Sequence, residues 1–123
     1  MEYKELEKLV IEWAKEKEIL SKATPMAQAN KTLEELGELQ EALFYQSQGD
    51  KEYINSKDVK VNTRSEIKDA FGDILVTIII GAHMQELNLS KRFCKKVKLY
   101  GSIKINNIES KNYFTLKVGD KLT

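Results

Sequence analysis

The chain has 123 residues, of which 32% are charged and 41% hydrophobic, a balance that suits one soluble, helix-rich domain with a modest core. One proline and six glycines argue against a turn-rich all-β fold. The single cysteine, Cys94, excludes an internal disulfide and fits a reducing compartment, and the charged amino-terminal segment is unlike a secretory signal, so we expect a cytoplasmic protein.

The net charge of +1 conceals an uneven distribution of charge along the chain. Residues 1–90 carry 11 basic and 17 acidic side chains, whereas residues 91–123 carry 9 basic and 2 acidic ones. The longest apolar run, residues 74–82, is too short to span a bilayer, so no membrane segment is predicted.

Hydrophobic periodicity predicts a first helix over residues 2–21, in which Trp13 is expected to be a core or interface aromatic. A second helix, residues 25 to about 48, begins with Thr24 as N-cap and Pro25 at the first helical position. The expected apolar side of this second helix consists of Leu33, Leu36, Leu39 and Leu43.

Residues 49–62 contain turn formers and charges without a clean period, which predicts a polar connection, with short extended segments as an alternative. The third helix is predicted from Thr63 to about residue 88, because Thr63-Arg64-Ser65-Glu66 matches a capping box. Its middle is too apolar for one face of a lone small bundle, so we expect another subunit to cover it.

A fourth helix is predicted over residues 90–100, with Gly101 as its stop. The predicted fold class is therefore all-α, a four-helix core with two longer central helices, in an oligomer. The expected helical domain spans residues 1–101, and residues 102–123 form an extension that is irregular or contains short strands.

Two acidic clusters carry the functional prediction. Side chains three or four residues apart on a helix are neighbours, so each cluster presents its carboxylates in one direction. The second cluster shares a face with Thr77 and Ile80, which favour burial, and carboxylates in line with a core stripe are costly unless a cation neutralises them. The clusters are Glu34, Glu35 and Glu38 on the second helix and Glu66, Asp69 and Asp73 on the third.

If these two helices pack antiparallel, the two clusters converge. Oxygen ligands alone suit Mg²⁺ or Mn²⁺, and such ions usually arrive with substrate phosphates. The pattern therefore favours metal-assisted attack of water on a phosphoanhydride. The alternative for each cluster alone is a solvated helix surface, because Glu-rich helical faces are common.

The segments TPMAQANKTLEELGELQEAL and EIKDAFGDILVTIIIGA resemble the MazG-like nucleoside triphosphate pyrophosphohydrolases of the all-α pyrophosphatase superfamily. The family motif is EExxE followed, after a variable spacer, by ExxD, and the likeness covers about residues 20–90. It implies a homodimer or homotetramer that uses Mg²⁺ to cleave a nucleoside triphosphate into monophosphate and pyrophosphate. It also implies that Glu35 and Glu38 are metal ligands and that Glu34 assists or orients a water.

The second motif departs from the family pattern, and two registers compete. Read literally, Glu66 and Asp69 form the ExxD; aligned on GDILV, Asp73 takes the place of the family Asp and Ala70 that of the Glu. In the second register Asp69, one residue earlier, would substitute for the missing Glu. We favour Asp69 and Asp73 as the principal ligands, because the capping box already explains Glu66, which remains an outer contributor.

Four side chains are candidates for substrate contacts, with solvated surface residues as the alternative. Gln28 and Lys31 precede the first cluster on its helix, and Lys57 and Arg64 border the connection. Other functions remain open: a dUTP or phosphoribosyl-ATP hydrolase of the same superfamily, a non-catalytic helical oligomerisation or regulatory module, or nucleic-acid binding through the basic residues 91–98. The last lacks aromatic interleaving and any recognised motif, so a nucleic-acid partner is not expected.

Overall fold

The computed structural model describes residues 1–106, and the side chains of residues 1–101. This part of the chain is mostly helical, which confirms the predicted helical class. The chain divides into two compact units, Met1–Leu87 and a second that begins at Asn88. The elements are α1 (Tyr3–Glu16), α2 (Ile19–Lys22), α3 (Pro25–Ser47), β1 (Glu52–Ile54), β2 (Lys60–Asn62), α4 (Thr63–Met84) and α5 (Leu89–Asn106).

The predicted first helix is two helices in the structure. The break lies at Glu18, whose φ of 60° is in the left-handed region that interrupts a right-handed helix. Short-range bonds to Glu18 then hold the single turn of α2, because the Ser21 hydroxyl donates to its carbonyl and the Lys22 ammonium to its carboxylate. Trp13 is 45% exposed, so it is not a core residue of this chain; Ala14 is the fully buried residue of α1.

Helix α3 begins where its local signals predict. The Thr24 hydroxyl accepts the Ala27 N–H at 3.0 Å, and Pro25 occupies the first helical position. Of the four leucines of the predicted apolar side, Leu39 is buried and the other three are exposed on this chain. The buried residues of α3 are Gln28, Glu35, Leu39 and Ala42.

Helices α3 and α4 pack antiparallel against each other. The side-chain amide of Gln28, near the start of α3, donates to the carbonyl of Thr77, in the second half of α4, at 3.3 Å. The hydroxyls of Thr32 and Thr77 bond at 2.8 Å. Farther along α3, Leu39 and Ala42 share a core with Ile67 from the first half of α4, and this order fixes which carboxylates meet.

The connection between α3 and α4 is a β-hairpin, which corresponds to the extended alternative for this stretch. Strands β1 and β2 pair antiparallel, with Tyr53 opposite Val61. Tyr53 is 7% exposed and its ring stacks on that of Tyr45, with centroids 4.3 Å apart and planes 10° from parallel. One aromatic residue of the strand therefore anchors the hairpin to the α3–α4 core.

The capping box predicted at Thr63 was wrong. The N-cap is Asn62, whose side-chain oxygen accepts the Ser65 N–H at 2.9 Å. Thr63 is the first helical residue, 3% exposed, and its hydroxyl donates to the carbonyl of Asp50 at 2.7 Å. Glu66 lies in the first turn of α4 but has no capping partner to explain it.

We expect Asn62→Ala to lower the free energy of unfolding by about 1 kcal/mol, because the substitution removes the side-chain acceptor at the helix start. Urea denaturation monitored by circular dichroism measures the change. Asn62→Asp keeps an acceptor and is the matched control, with stability close to that of the wild type. Equal stabilities of all three proteins would mean that the cap lies elsewhere.

Helix α5 continues through Gly101 to Asn106, so the helix end expected at residue 101 was wrong, and the domain boundary placed after that residue falls inside α5. Residues 107–123 of the expected extension lie outside the described residues. Within the described part of the chain, no helix combines the length and apolarity that crossing a membrane requires.

Candidate active site

The antiparallel packing of α3 and α4 brings carboxylates from both helices together. On α3, burial raises the pKa of Glu35, and the neighbouring Glu38 and Asp73 of α4 raise it further. On α4, burial raises the pKa of Glu66, and the charges of Glu38 of α3 and of Asp73 are among those that raise it further. We call these four residues, Glu35, Glu38, Glu66 and Asp73, the acidic row.

Glu35 is the most buried member of the acidic row, with 7% of its surface exposed. Its Oε1 lies 3.3 Å from the Lys31 ammonium, whereas its Oε2 is buried without a hydrogen-bond partner among the described residues. Burial raises the pKa of the Glu35 carboxyl, and contact with Glu38 raises it further, against the opposing effect of Lys31. A buried acceptor without a donor lowers the stability of the folded protein by about 1–3 kcal/mol. A proton or a cation bound to this oxygen would remove that penalty.

Glu66 belongs to the acidic row and not to a helix cap. Burial raises its pKa, and the charges of Asp69 and Glu38 raise it further. Asp69 was preferred over Glu66 as a ligand because Glu66 was assigned to the capping box. Since that capping box does not form, the preference is no longer supported. Asp69 itself is exposed, and neither of the pockets described below is lined by it.

An apolar pocket of about 440 Å³ lies at one end of the acidic row. Its volume is within the range of small-molecule sites. Three charged residues, Lys31, Glu35 and Asp73, line it together with the amide of Gln28. The rest of its wall consists of Trp13, Ile19, Ala23, Ala27, Val76, Thr77 and Ile80. Two of the predicted substrate contacts and two of the predicted ligands therefore share one pocket.

A smaller acidic pocket of about 140 Å³ lies at the other end of the row. It is lined by Glu38, Glu41, Glu66, Tyr53, Asn55, Ser56 and Lys57. The Lys57 ammonium lies 3.5 Å from Oε1 of Glu38. Burial and then the charge of Glu66 raise the pKa of the Tyr53 hydroxyl, which places this ring beside the carboxylates.

Sequence reasoning missed Glu41, Tyr53 and Asn55 as wall residues of the acidic pocket. A signal existed for Glu41, which follows Glu38 by three residues and so continues its helical face. For Tyr53 and Asn55 the signal was weak, because they reach the site only through the hairpin pairing, which the local sequence does not determine.

Besides Asp69, two predicted site residues lie apart from these two pockets. Glu34 is half exposed and pairs with Lys31 at 3.5 Å, and it lines neither pocket. Arg64 lines a different cavity of about 380 Å³, together with Lys51 and the start of α4. Of the four predicted substrate contacts, Arg64 is therefore the one that the structure does not bring to the acidic row.

Among residues 1–101, whose side chains the structure describes, no group of three or more Asp, Glu, His or Cys side chains is placed to hold a metal ion. Glu35 and Asp73 line the apolar pocket and Glu38 and Glu66 line the acidic one. Mg²⁺ is commonly bound through one or two carboxylates, with water and phosphate as its other ligands.

No protein-family model matches the chain, and neither a curated protein nor a solved structure has significant similarity to it. The functional argument therefore depends on the acidic row and its two pockets.

Proposed function

We propose that this protein is a Mg²⁺-dependent nucleoside triphosphate pyrophosphohydrolase, similar to the MazG-like enzymes, which converts NTP or dNTP into monophosphate and pyrophosphate. The observation that carries the proposal is the unpartnered Oε2 of the buried Glu35, in a row of carboxylates between an apolar and an acidic pocket. A structural role alone gives no reason to bury a carboxylate in this way.

The donor set of the acidic row fits Mg²⁺, or Mn²⁺ as an alternative, because every ligand is an oxygen. One or two of the four carboxylates, Glu35 and Glu38 of α3 and Asp73 and Glu66 of α4, would hold the ion. Mg²⁺ is commonly bound through one or two carboxylates, with water and phosphate as the other ligands, so a complete protein cage is not required. Bound there, the ion would neutralise phosphate charge and acidify a water.

The residues of the apolar pocket suit the nucleoside. Trp13 offers an aromatic face for a base, and Gln28 lines the same wall. The amide of Gln28 donates to the Thr77 carbonyl, which fixes its side chain, and its oxygen is an acceptor for a polar edge of the base. Lys31 carries positive charge beside Glu35 in the wall of this pocket, where it would bind the phosphate that is attached to the nucleoside.

The Glu35–Glu38 pair suits the removal of a proton from the attacking water. In the metal-free protein, burial and contact with Glu38 raise the pKa of Glu35. With the ion bound, whichever of the two carboxylates does not hold it would accept the proton of the water. Lys31 keeps Oε1 of Glu35 oriented. Glu34 would act only indirectly, through its own contact with Lys31.

The direct test is pyrophosphate release from a panel of ribo- and deoxyribonucleoside triphosphates with Mg²⁺. We expect turnover on at least one of them, and we expect Glu38→Gln to reduce it about 10²-fold or more, because the variant loses both a ligand and part of the base. Glu5→Gln, an exposed acid on α1, is the control and should retain wild-type turnover. Absence of Mg²⁺-dependent turnover on every nucleotide would refute the proposal.

A second candidate function is a non-catalytic helical oligomerisation module. It is favoured by large apolar side chains that are exposed on one chain, such as Leu33 (66%), Phe44 (57%) and Phe71 (59%). We propose that these side chains contact a second copy of the chain, in a homodimer or homotetramer. The two functions are separable, because a pure assembly module would show no stabilisation by Mg²⁺ that depends on Glu38 and Asp73.

A further inference from the structure

The hairpin holds a lysine at a defined place beside the acidic row. Asn55 shapes the turn, since its side-chain oxygen accepts the N–H of Lys57 at 2.9 Å and that of Val59 at 3.0 Å. Behind the turn, Tyr53 is buried and stacked on Tyr45. The hydrogen bonds of Asn55 fix the turn, and the stacked Tyr53 fixes the strand that leads into it. The backbone of Lys57 is therefore held in place, while its exposed side chain can move.

The Lys57 side chain contributes the single cation among the seven residues that line the acidic pocket, where Glu38, Glu41 and Glu66 contribute three carboxylates. Its ammonium is 3.5 Å from Glu38, and its side chain is 67% exposed. Exposed ion pairs of this kind contribute little to stability, so the contact breaks readily when a competing charge arrives.

We propose that Lys57 is an internal counter-ion of the acidic row: its ammonium neutralises Glu38 in the free protein, leaves when a divalent cation binds, and then binds the phosphate chain of the nucleotide. This inference depends on the proposed function and adds to it a binding residue with two successive partners.

The chemistry of lysine suits both partners. A compact ammonium on a flexible stem of four carbons binds a carboxylate or a phosphate as a point charge with three donors. A divalent cation beside Glu38 repels the ammonium and removes its attraction to that carboxylate. Triphosphate oxygens bring new negative charge to the same place, so the displaced ammonium gains a partner close to the one that it lost.

The test compares the full chain with a Lys57→Met variant, which keeps the apolar stem and removes the charge. Mn²⁺ binding without nucleotide is measured by electron paramagnetic resonance, and we expect the variant to bind Mn²⁺ about three- to tenfold more tightly. Binding of an α,β-methylene nucleoside triphosphate at saturating Mg²⁺ is measured by calorimetry, and we expect it to weaken about tenfold or more. A merely structural lysine would not change the two affinities in opposite directions.

Lys60→Met is the matched control. Lys60 lies on the same hairpin, is 70% exposed on its side chain, and pairs with Glu52 at 3.0 Å and not with the acidic row. It removes the same charge, so it reports any general electrostatic effect, and we expect both affinities to stay within about twofold of the wild type.

Each other outcome contradicts a specific step. If Lys57→Met and Lys60→Met behave alike, or if Lys57→Met weakens Mn²⁺ binding, the role of Lys57 is wrong while the proposed function stands. If neither protein binds Mn²⁺ without nucleotide but both bind the analogue with Mg²⁺, the counter-ion role of Lys57 is wrong while the proposed function stands. If neither protein binds Mn²⁺ and neither binds the analogue, the proposed function and this inference fail together.

Discussion

Replacing Glu35 by Gln is expected to stabilise the metal-free protein and, at the same time, to abolish its response to Mg²⁺. The substitution keeps the shape of the side chain and removes a buried carboxylate whose Oε2 has no hydrogen-bond partner among the described residues. That removal is worth about 1–3 kcal/mol, from which the loss of the partly exposed Lys31 contact subtracts less than about 1 kcal/mol. The expected net gain is about 1–2 kcal/mol at pH 7.5, and Tm rises by roughly 4–8 °C per kcal/mol.

The pH dependence of this gain has a definite sign. Because the folded protein raises the pKa of Glu35 above its ordinary value of 4.5, the wild type is penalised only where the carboxyl ionises. The contribution of protonated Glu35 to stability is fully present below the unfolded pKa and is lost as pH rises through the raised folded pKa. The advantage of Glu35→Gln should therefore be smallest near pH 4, increase with pH, and level off above the folded pKa of Glu35.

Thermal melts with and without Mg²⁺ measure both halves of this prediction. Wild-type protein should gain about 2.7 kcal/mol when Mg²⁺ is present at 100 times its dissociation constant, and Glu35→Gln should gain almost nothing. Glu34→Gln is the matched control for stability, because Glu34 is exposed and contacts the same lysine, so its pH profile should follow that of the wild type. A Glu35→Gln protein that is less stable at every pH would show that the carboxylate is satisfied.

Features of the fold that depend on neighbouring residues could be predicted from the sequence. The start of α3 is an example, because the Thr24 cap and Pro25 act within one helical turn. The start of α4 at Thr63 was predicted, but its N-cap was misplaced by one residue, because Asn62 and Thr63 are both good caps. The choice between them follows from the hairpin register, in which Glu52 pairs with Asn62 and the strand ends there. That pairing is not local, so the capping box could not reveal it.

Burial was harder to predict than helix formation. The leucines of α3 were expected to form its apolar side, but the buried residues of this helix include Gln28, Glu35 and Ala42. Gln28 can be buried because its amide donates to the carbonyl of Thr77. The break between α1 and α2 could not be predicted from a glycine or a proline, because the residue in the left-handed conformation there is Glu18.

Some features of the candidate site follow from local helical spacing, whereas others depend on elements that are distant in the sequence. The helical spacing of Glu35 with Glu38 predicted one half of the acidic row, and the line of Asp73 with Thr77 predicted part of the other half. The division of the row between an apolar and an acidic pocket could not be foreseen, because α1, α2 and the hairpin supply walls that are distant in sequence.

The exposed apolar row of α4 gives the second large prediction. Phe71, Leu75 and Ile78 follow one another at helical spacing and are 59%, 47% and 41% exposed. At 100° per residue, Leu75 lies about 200° around the helix from Asp73, so this row faces away from the acidic row. Contiguous exposed apolar side chains of this kind mark protein–protein contacts, and a second copy of the chain offers a matching surface.

Leu75→Lys is therefore expected to convert an oligomer into a monomer, because an uncompensated buried charge costs about 3–5 kcal/mol and a two-fold interface contains it twice. Light scattering coupled to size-exclusion chromatography measures the mass, which should be at least two chains for the wild type and one for the variant. Val59→Lys introduces the same charge at an apolar side chain on the hairpin that is 52% exposed, and it should leave the mass unchanged.

Mn²⁺ binding should persist in the Leu75→Lys monomer, because all four carboxylates of the acidic row belong to one chain. A wild-type protein that is monomeric at high concentration would leave the exposed row without this partner, and loss of Mn²⁺ binding on dissociation would mean that the second copy completes the site.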